Sequence, residues 1–311
     1  MSESRTKKIN SRKAKQRLFL LSVWIYPAIL FFVLYVYVNF NYVTMAFKKY
    51  DPTTHQYLWY GFGNFAKFFD TVFHKSDLKY ALINSVSVTI LSYFIMTPIS
   101  ILVNFAVYKK IFMSEFFKTV FFIPSVIAGI VWIMVYRYFI EYGVPMIVKS
   151  FGGNEAISLL SKPESAYWTL MVIRFWTGIG SINLVYLGTM SRVPESLIES
   201  GKLEVMGMMS ELWHITIPMI WPLLSLSFLG LVSSIFLADL GAFSWFGEGV
   251  HPRLYTFSYY LFTLVVSRAG VGSLSNYTLA AAAGLTFTVI IAPLTMLVRF
   301  LLEKYGPDAE Y

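Results

Sequence analysis

Between Leu18 and Phe40 the chain runs for twenty-three residues without one charged side chain. About 20 apolar residues in a helix cross the roughly 30 Å of hydrocarbon in a bilayer, so this run predicts a membrane span. Five further runs, at Ala81–Tyr108, Thr119–Ile140, Ala166–Met190, Ile217–Leu240 and Asn276–Val298, read the same way. Hydrophobic residues make up 57% of the chain and charged ones only 14%, against about 25% charged in soluble domains. The expected fold class is an all-α integral membrane protein with six transmembrane helices.

A net charge of +8 would suit a nucleic-acid partner, but its placement argues for a membrane. Seven of the 25 Lys and Arg residues (Arg5, Lys7, Lys8, Arg12, Lys13, Lys15, Arg17) precede the first apolar run. There they act as a positive-inside topology signal and meet anionic lipid headgroups, so no nucleic acid is expected. The first run is too long for the core of a cleaved signal peptide and lacks a small-x-small cleavage site, which makes it an uncleaved anchor. Six spans then place both termini in the cytoplasm. The expected organisation is a basic tail over 1–17, a first span and outer interfacial segment over 18–77, a core over 78–298 and a tail over 299–311. The outer segment includes Gly61-Phe-Gly-Asn-Phe-Ala-Lys-Phe-Phe, read as an amphipathic helix at the interface. With no cysteine, the chain has no disulfide, thiolate metal site or thiol nucleophile, and its four scattered histidines form no ligand-spaced pair. The sequon at Asn276-Tyr-Thr abuts a span and is discounted.

Residues 195–222 interrupt the apolar pattern with polar and charged residues at intervals. Pro194 sits where a first-turn proline costs no hydrogen bond, Glu195 and Glu199 lie toward the positive end of a helix dipole, and Gly207 is a break. A short surface helix at about 194–207 is expected. A membrane chain needs fewer residues than these about 25 to reverse direction, so docking to another protein competes with lying on the lipid surface.

Glu199-Ser200-Gly201, followed by Ile215-x-Ile217-Pro218, resembles the coupling-loop signature of bacterial ABC-importer permeases, Glu-Ala-Ala, then glycine, then Ile-x-Leu-Pro. The preceding Leu187-Gly-Thr-Met-Ser-Arg-Val-Pro-Glu-Ser-Leu-Ile resembles the carbohydrate branch, the maltose, glycerol-phosphate and oligosaccharide permeases. Two departures stand out: Ser200 and Gly201 replace both alanines, and Val205 stands where the family glycine is expected. The resemblance implies a type I importer permease whose coupling helix, through Glu199, Ser200, Gly201, Glu204 and Gly207, docks into a separate ATPase subunit. It also implies a second homologous permease subunit, an ABC ATPase dimer that binds the ATP and Mg, an extracytoplasmic solute-binding protein, and a bacterial cytoplasmic membrane. The chain itself would bind no cofactor and be no enzyme.

The residues agree on the source of energy. No Gly-x4-Gly-Lys-(Ser/Thr) loop is present to cradle nucleotide phosphates. The expected spans hold almost no acids of the kind that relay ions in gradient-driven carriers, Asp239 lying at the end of the fifth. Arg174 is the informative intramembrane charge; it either snorkels to the headgroups or lines a translocation path. Trp176-Thr-Gly-x-Gly-Ser falls where maltose-type members have a Trp-x-Gly segment at their sugar site, which implies that Arg174, Thr177, Gly178 and Ser181 face the cavity. Thr177, Ser181 and Asn183, with Ser233 and Ser234 of the fifth span, have hydroxyl or amide groups that suit a sugar, although such residues also serve plain helix packing. The expected function is ATP-driven import of sugars or oligosaccharides, acidic ones if Arg174 is luminal. A non-sugar solute, a gradient-driven carrier and an intramembrane enzyme are the rival readings.

Overall fold

The computed structural model describes Lys15 and residues 19–153, 159–266 and 271–307, the side chains of 179–184 and 271–273 excepted. The expected N-terminal basic cluster therefore lies, apart from Lys15, outside the described residues. The chain divides into two compact units, residues 1–69 with 268–286, and residues 70–267 with 287–311.

In the first unit α1 (Phe19–Ala46) buries none of its most apolar window inside the protein, as expected of a helix whose whole surface meets lipid. After it the chain forms an antiparallel hairpin of β1 (Lys48–Asp51) and β2 (Gln56–Trp59), in the register Lys48↔Trp59 and Asp51↔Gln56. This hairpin lies within the expected outer segment, for which the sequence suggested no strands. Its turn is built by Asp51, whose carboxylate accepts from the hydroxyl and amide of Thr53 and from the hydroxyl of Thr54. Those donors hold the Asp51 carboxyl below its usual pKa. Buried Asn64 donates to the carbonyls of Ala46 at 2.9 Å and Lys48 at 2.7 Å, tying the start of α2 (Gly63–His74) to the end of α1. Ala281 and Ala282 pack with Ala46 and Phe65, small side chains permitting close approach.

The second unit holds the longer helices. In α3 (Ser76–Tyr108) the ladder loosens to a π-turn at Ser92–Met96, just ahead of Pro98, whose ring nitrogen cannot donate. The expected third span, Thr119–Ile140, is instead two helices, α4 (Ser114–Val126) and α5 (Gly129–Ser150). Ile127 and Ala128 between them are extended, with ψ of 136° and 134°. Trp132 Nε1 donates to the carbonyl of Pro124 at 3.1 Å, satisfying one group that the break frees. Helix α5 also continues through 141–150, where a loop was expected.

Next come α6 (Pro163–Met190), α7 (Glu195–Leu203) and the pair α8 (Met208–Met219) and α9 (Trp221–Ser233), bent by 71°. The expected fifth span, Ile217–Leu240, thus stops at Ser233, and 234–241 is not helical. Short helices α10 (Ala242–Phe246) and α11 (Phe257–Val266) precede α12 (Val271–Tyr305), which begins before Asn276, runs beyond Val298 and belongs to the first unit up to residue 286 and to the second from 287. Among the described residues, α1, α3, α5 and α12 are long and apolar enough to cross a membrane, and α8 with α9 makes a fifth crossing if the bent pair is one span. Helix α6 has 28 residues but carries Arg174.

Candidate functional site: a polar cavity and an exposed short helix

Backbone that leaves a helix at membrane depth needs partners from elsewhere in the protein. The stretch after α9 finds them on α3 and α6. Thr89 donates its hydroxyl to Ile235 O at 3.3 Å, and Arg174 Nη1 donates to Asp239 O at 2.5 Å. Thr256 in turn donates to the Asp239 carboxylate at 3.1 Å. Further along, buried Asn84 donates to Arg253 O and Tyr255 O, and Ser85 accepts the Phe257 amide.

Arg174 is half-buried and stands between two cavities. One, of about 380 Å³, is lined by Ser92, Tyr93, Met96 and Thr97 of α3, by Arg174, Thr177, Gly178 and Tyr186 of α6, and by Ser227 and Leu231 of α9. The other, of about 460 Å³, is bounded by Thr89, Ser92, Arg174, Ser234, Asp239 and Gly241 among others. Both volumes fall in the range of small-molecule sites, roughly 300–1,000 Å³. A guanidinium has five N–H donors in a fork that matches carboxylate oxygens, so one bond to a carbonyl leaves it able to take an anion.

The expected path residues separate on this geometry. Arg174, Thr177 and Gly178 line the first cavity, and Ser234 the second. Thr177 turns its hydroxyl proton to Ile173 O at 3.0 Å, leaving its oxygen as an acceptor. A side chain on Gly178 would come within 2.2 Å of Met96 Cε, so a small residue there sets the approach of α6 to α3. Ser233 lines neither cavity and donates to Gly230 O. The side chains of Ser181 and Asn183 lie outside the described residues. Sequence reasoning missed Ser92, Tyr93, Thr97, Tyr186 and Ser227. Ser92, Tyr93, Met96 and Thr97 recur at helical spacing on one face, and that stripe was the available signal.

The short helix is α7. Pro194 caps it from an extended conformation, one position before the first-turn place expected for it. Its far end is a Schellman turn: Met206 N–H donates to Gly201 O and Val205 N–H to Lys202 O, both at 3.1 Å. That turn demands a left-handed residue, and Val205 supplies it at φ 55°. The left-handed residue of the break is therefore Val205, where the resembling family has glycine. Gly207, where the sequence suggested a break, lies in the non-helical step between α7 and α8, at φ −72° with open space around it. A left-handed non-glycine residue costs roughly 1–2 kcal/mol, and a β-branched one is a clear outlier. Val205→Gly is accordingly expected to stabilise the α7 end by about 1 kcal/mol, seen as slower proteolysis of the 195–207 segment in the purified protein.

Glu195, Glu199, Ser200 and Glu204 are exposed, while Gly201 is buried against Ile215. Leu203 and Val205, 85% and 89% exposed, make an apolar tip among these acids, which residue type alone did not announce.

No protein-family model matches the chain. It is 24% identical over 254 residues, 77% of its length and 79% of the relative's, to YurN, a probable ABC transporter permease protein of Bacillus subtilis. It is 26% identical over 217 residues, 64% of its length and 63% of the relative's, to YteP of the same organism, a polygalacturonan/rhamnogalacturonan transport system permease protein. Among solved structures it superposes at a TM-score of 0.76 on a chain of a bacterial ABC transporter involved in the import of the acidic polysaccharide alginate, with 20% identity over 94% of this chain and 98% of that one. The fold is thus that of an ABC-importer permease.

Proposed function

We propose that this chain, an ABC-importer permease subunit of the carbohydrate type, moves oligosaccharides with acidic residues across a bacterial cytoplasmic membrane by alternating access. The observation that carries the substrate class is Arg174, a guanidinium between two cavities, the first of which also presents the hydroxyls of Ser92, Thr97, Thr177 and Ser227 and the rings of Tyr93 and Tyr186, while the second adds Thr89 and Ser234 beside Asp239 and aliphatic side chains. Hydroxyls match sugar hydroxyls, tyrosine faces match the apolar faces of pyranose rings, and the guanidinium matches a carboxylate through charge-assisted bonds.

The chain is a transport subunit and not an enzyme. ATP and Mg belong to an ATPase dimer, into which α7 docks with its apolar tip and with Glu199 and Glu204. A binding protein outside the membrane delivers the substrate, and a second homologous permease completes the pore. In this reading α8 and α9 form one broken span, α4 and α5 another, and with α6 the chain crosses six times, both termini inside.

The test is uptake by proteoliposomes holding the whole complex. Import is expected to need ATP and the binding protein and to ignore an imposed proton gradient; gradient-driven uptake without ATP would sink the reading. Arg174→Met is expected to lower uptake of uronate oligosaccharides about tenfold, equivalent to roughly 1.4 kcal/mol, with assembly intact. The 2.5 Å bond to Asp239 O also supports a purely structural role for Arg174. In that case the substitution lowers stability and reduces uptake of neutral and acidic sugars alike.

A further inference from the structure

Helix α7 is held to the rest of its unit by little. Its one buried residue is Gly201, seated on Ile215. The next segment, α8, is anchored differently. Glu211 is buried there, and its carboxylate meets the ammonium of Lys109, the residue that caps α3. The two side chains are only 11% and 19% exposed. The ammonium also lies 5.8 Å from the Phe105 ring centre and 5.7 Å from that of Tyr108. Beside the pair, Leu212 enters a core with Phe105, Tyr186, Met190 and Ile220.

We infer that the Lys109–Glu211 pair is the strut through which movement of α7 reaches the cavity, an inference that rests on the coupling reading above. Ion pairs this enclosed are no better for stability than well-packed apolar residues. What they add is direction: apolar contacts slide past one another, whereas a carboxylate held on an ammonium fixes one register. Lys109 sits at the end of the helix that carries Ser92, Tyr93, Met96 and Thr97, roughly 18–25 Å away at 1.5 Å per residue. A displacement of α8 thus pulls directly on the helix that forms one cavity wall, and both residues act as positioning residues.

The experiment uses the complete transporter and needs no transported sugar. In this cysteine-free chain, S92C places a thiol at both cavities, and its reaction with an impermeant maleimide is compared in the resting state and after trapping with MgATP and vanadate. The expected result is a several-fold change in labelling rate with Lys109 and Glu211 intact, and less than twofold in E211Q, whose basal ATP hydrolysis stays within about twofold of the parent. The double substitution K109E with E211K is expected to restore at least half of the change. In a separate chain, K109C and E211C joined by a short bis-maleimide should still transport, because a strut stays closed throughout the cycle. A parental labelling response in E211Q, or a cross-linked transporter that is inactive, overturns the inference. Should E211Q fail to reach the membrane, the cross-link result decides. If the parent shows no nucleotide-driven change, the coupling reading falls, and this inference with it.

Discussion

Gly201→Val is expected to abolish ATP-driven uptake while the chain still enters the membrane and assembles. A Cβ at position 201 would lie 3.0 Å from Ile215 Cδ1 and 3.1 Å from Met206 Sδ. Both are the far ends of flexible side chains, so alanine needs shifts of a few tenths of an ångström. The two branched carbons of valine project further into the same space, and overpacking of this sort costs about 1–3 kcal/mol. Since Gly201 is the one buried residue of α7, the cheapest relief is for α7 to lift off rather than for the unit to unfold. Gly201→Ala should keep uptake within about threefold of the parent, by the same argument. Parental uptake by Gly201→Val would show that α7 is not seated through this contact.

Asn84→Leu is expected to produce the largest loss of stability of any substitution considered. The amide of Asn84 donates to Arg253 O at 2.8 Å and Tyr255 O at 2.9 Å, carbonyls of a single 3-10 turn, Pro252–Leu254, and of the extended residue that follows it. Leucine has nearly the same shape and no donor. Each carbonyl left unpaired away from water costs about 1–3 kcal/mol, so the sum is roughly 2–6 kcal/mol. Thermal unfolding in detergent should register it as a large fall in midpoint. Asn84→Asp should fail as well, because a carboxylate cannot donate to either carbonyl. A leucine variant within about 1 kcal/mol of the parent would mean that water or other donors replace the amide.

The positions of the apolar helices were legible because hydropathy alone decides which runs enter lipid. Where those helices break was not. The chain leaves helical geometry at Ile127 and Ala128, not at Pro124 within the helix before them, whose carbonyl takes a donor from Trp132 of the following helix. The fifth run stays apolar through Ile235, Phe236 and Leu237, so nothing local marks its end at Ser233. What permits the unwinding is Thr89 and Arg174, distant in sequence, reaching carbonyls that would otherwise be orphaned. Of the cavity, Arg174 and its neighbours on α6 were readable as costly or small residues in a span. The α3 wall was not singled out, since Ser92, Tyr93 and Thr97 are individually ordinary in a membrane helix. At the short helix the sequence located the element and a break that includes Gly207, but not that the left-handed position within it is Val205.

The broken helices bear on how the chain is made. Ser114–Val126 has 13 residues and Trp221–Ser233 also 13, each well short of the about 20 that a translocation channel releases sideways into lipid. Neither segment can partition alone, and α6 enters with a guanidinium aboard. Their neighbours α3 and α12 are long and uninterrupted by breaks of this kind. Trp221–Ser233 reaches spanning length only together with α8 before it, so its crossing depends on the neighbouring segment rather than on its own apolarity. The break that leaves carbonyls for Thr89 and Arg174 to meet thus also leaves helices that depend on their neighbours to cross the bilayer.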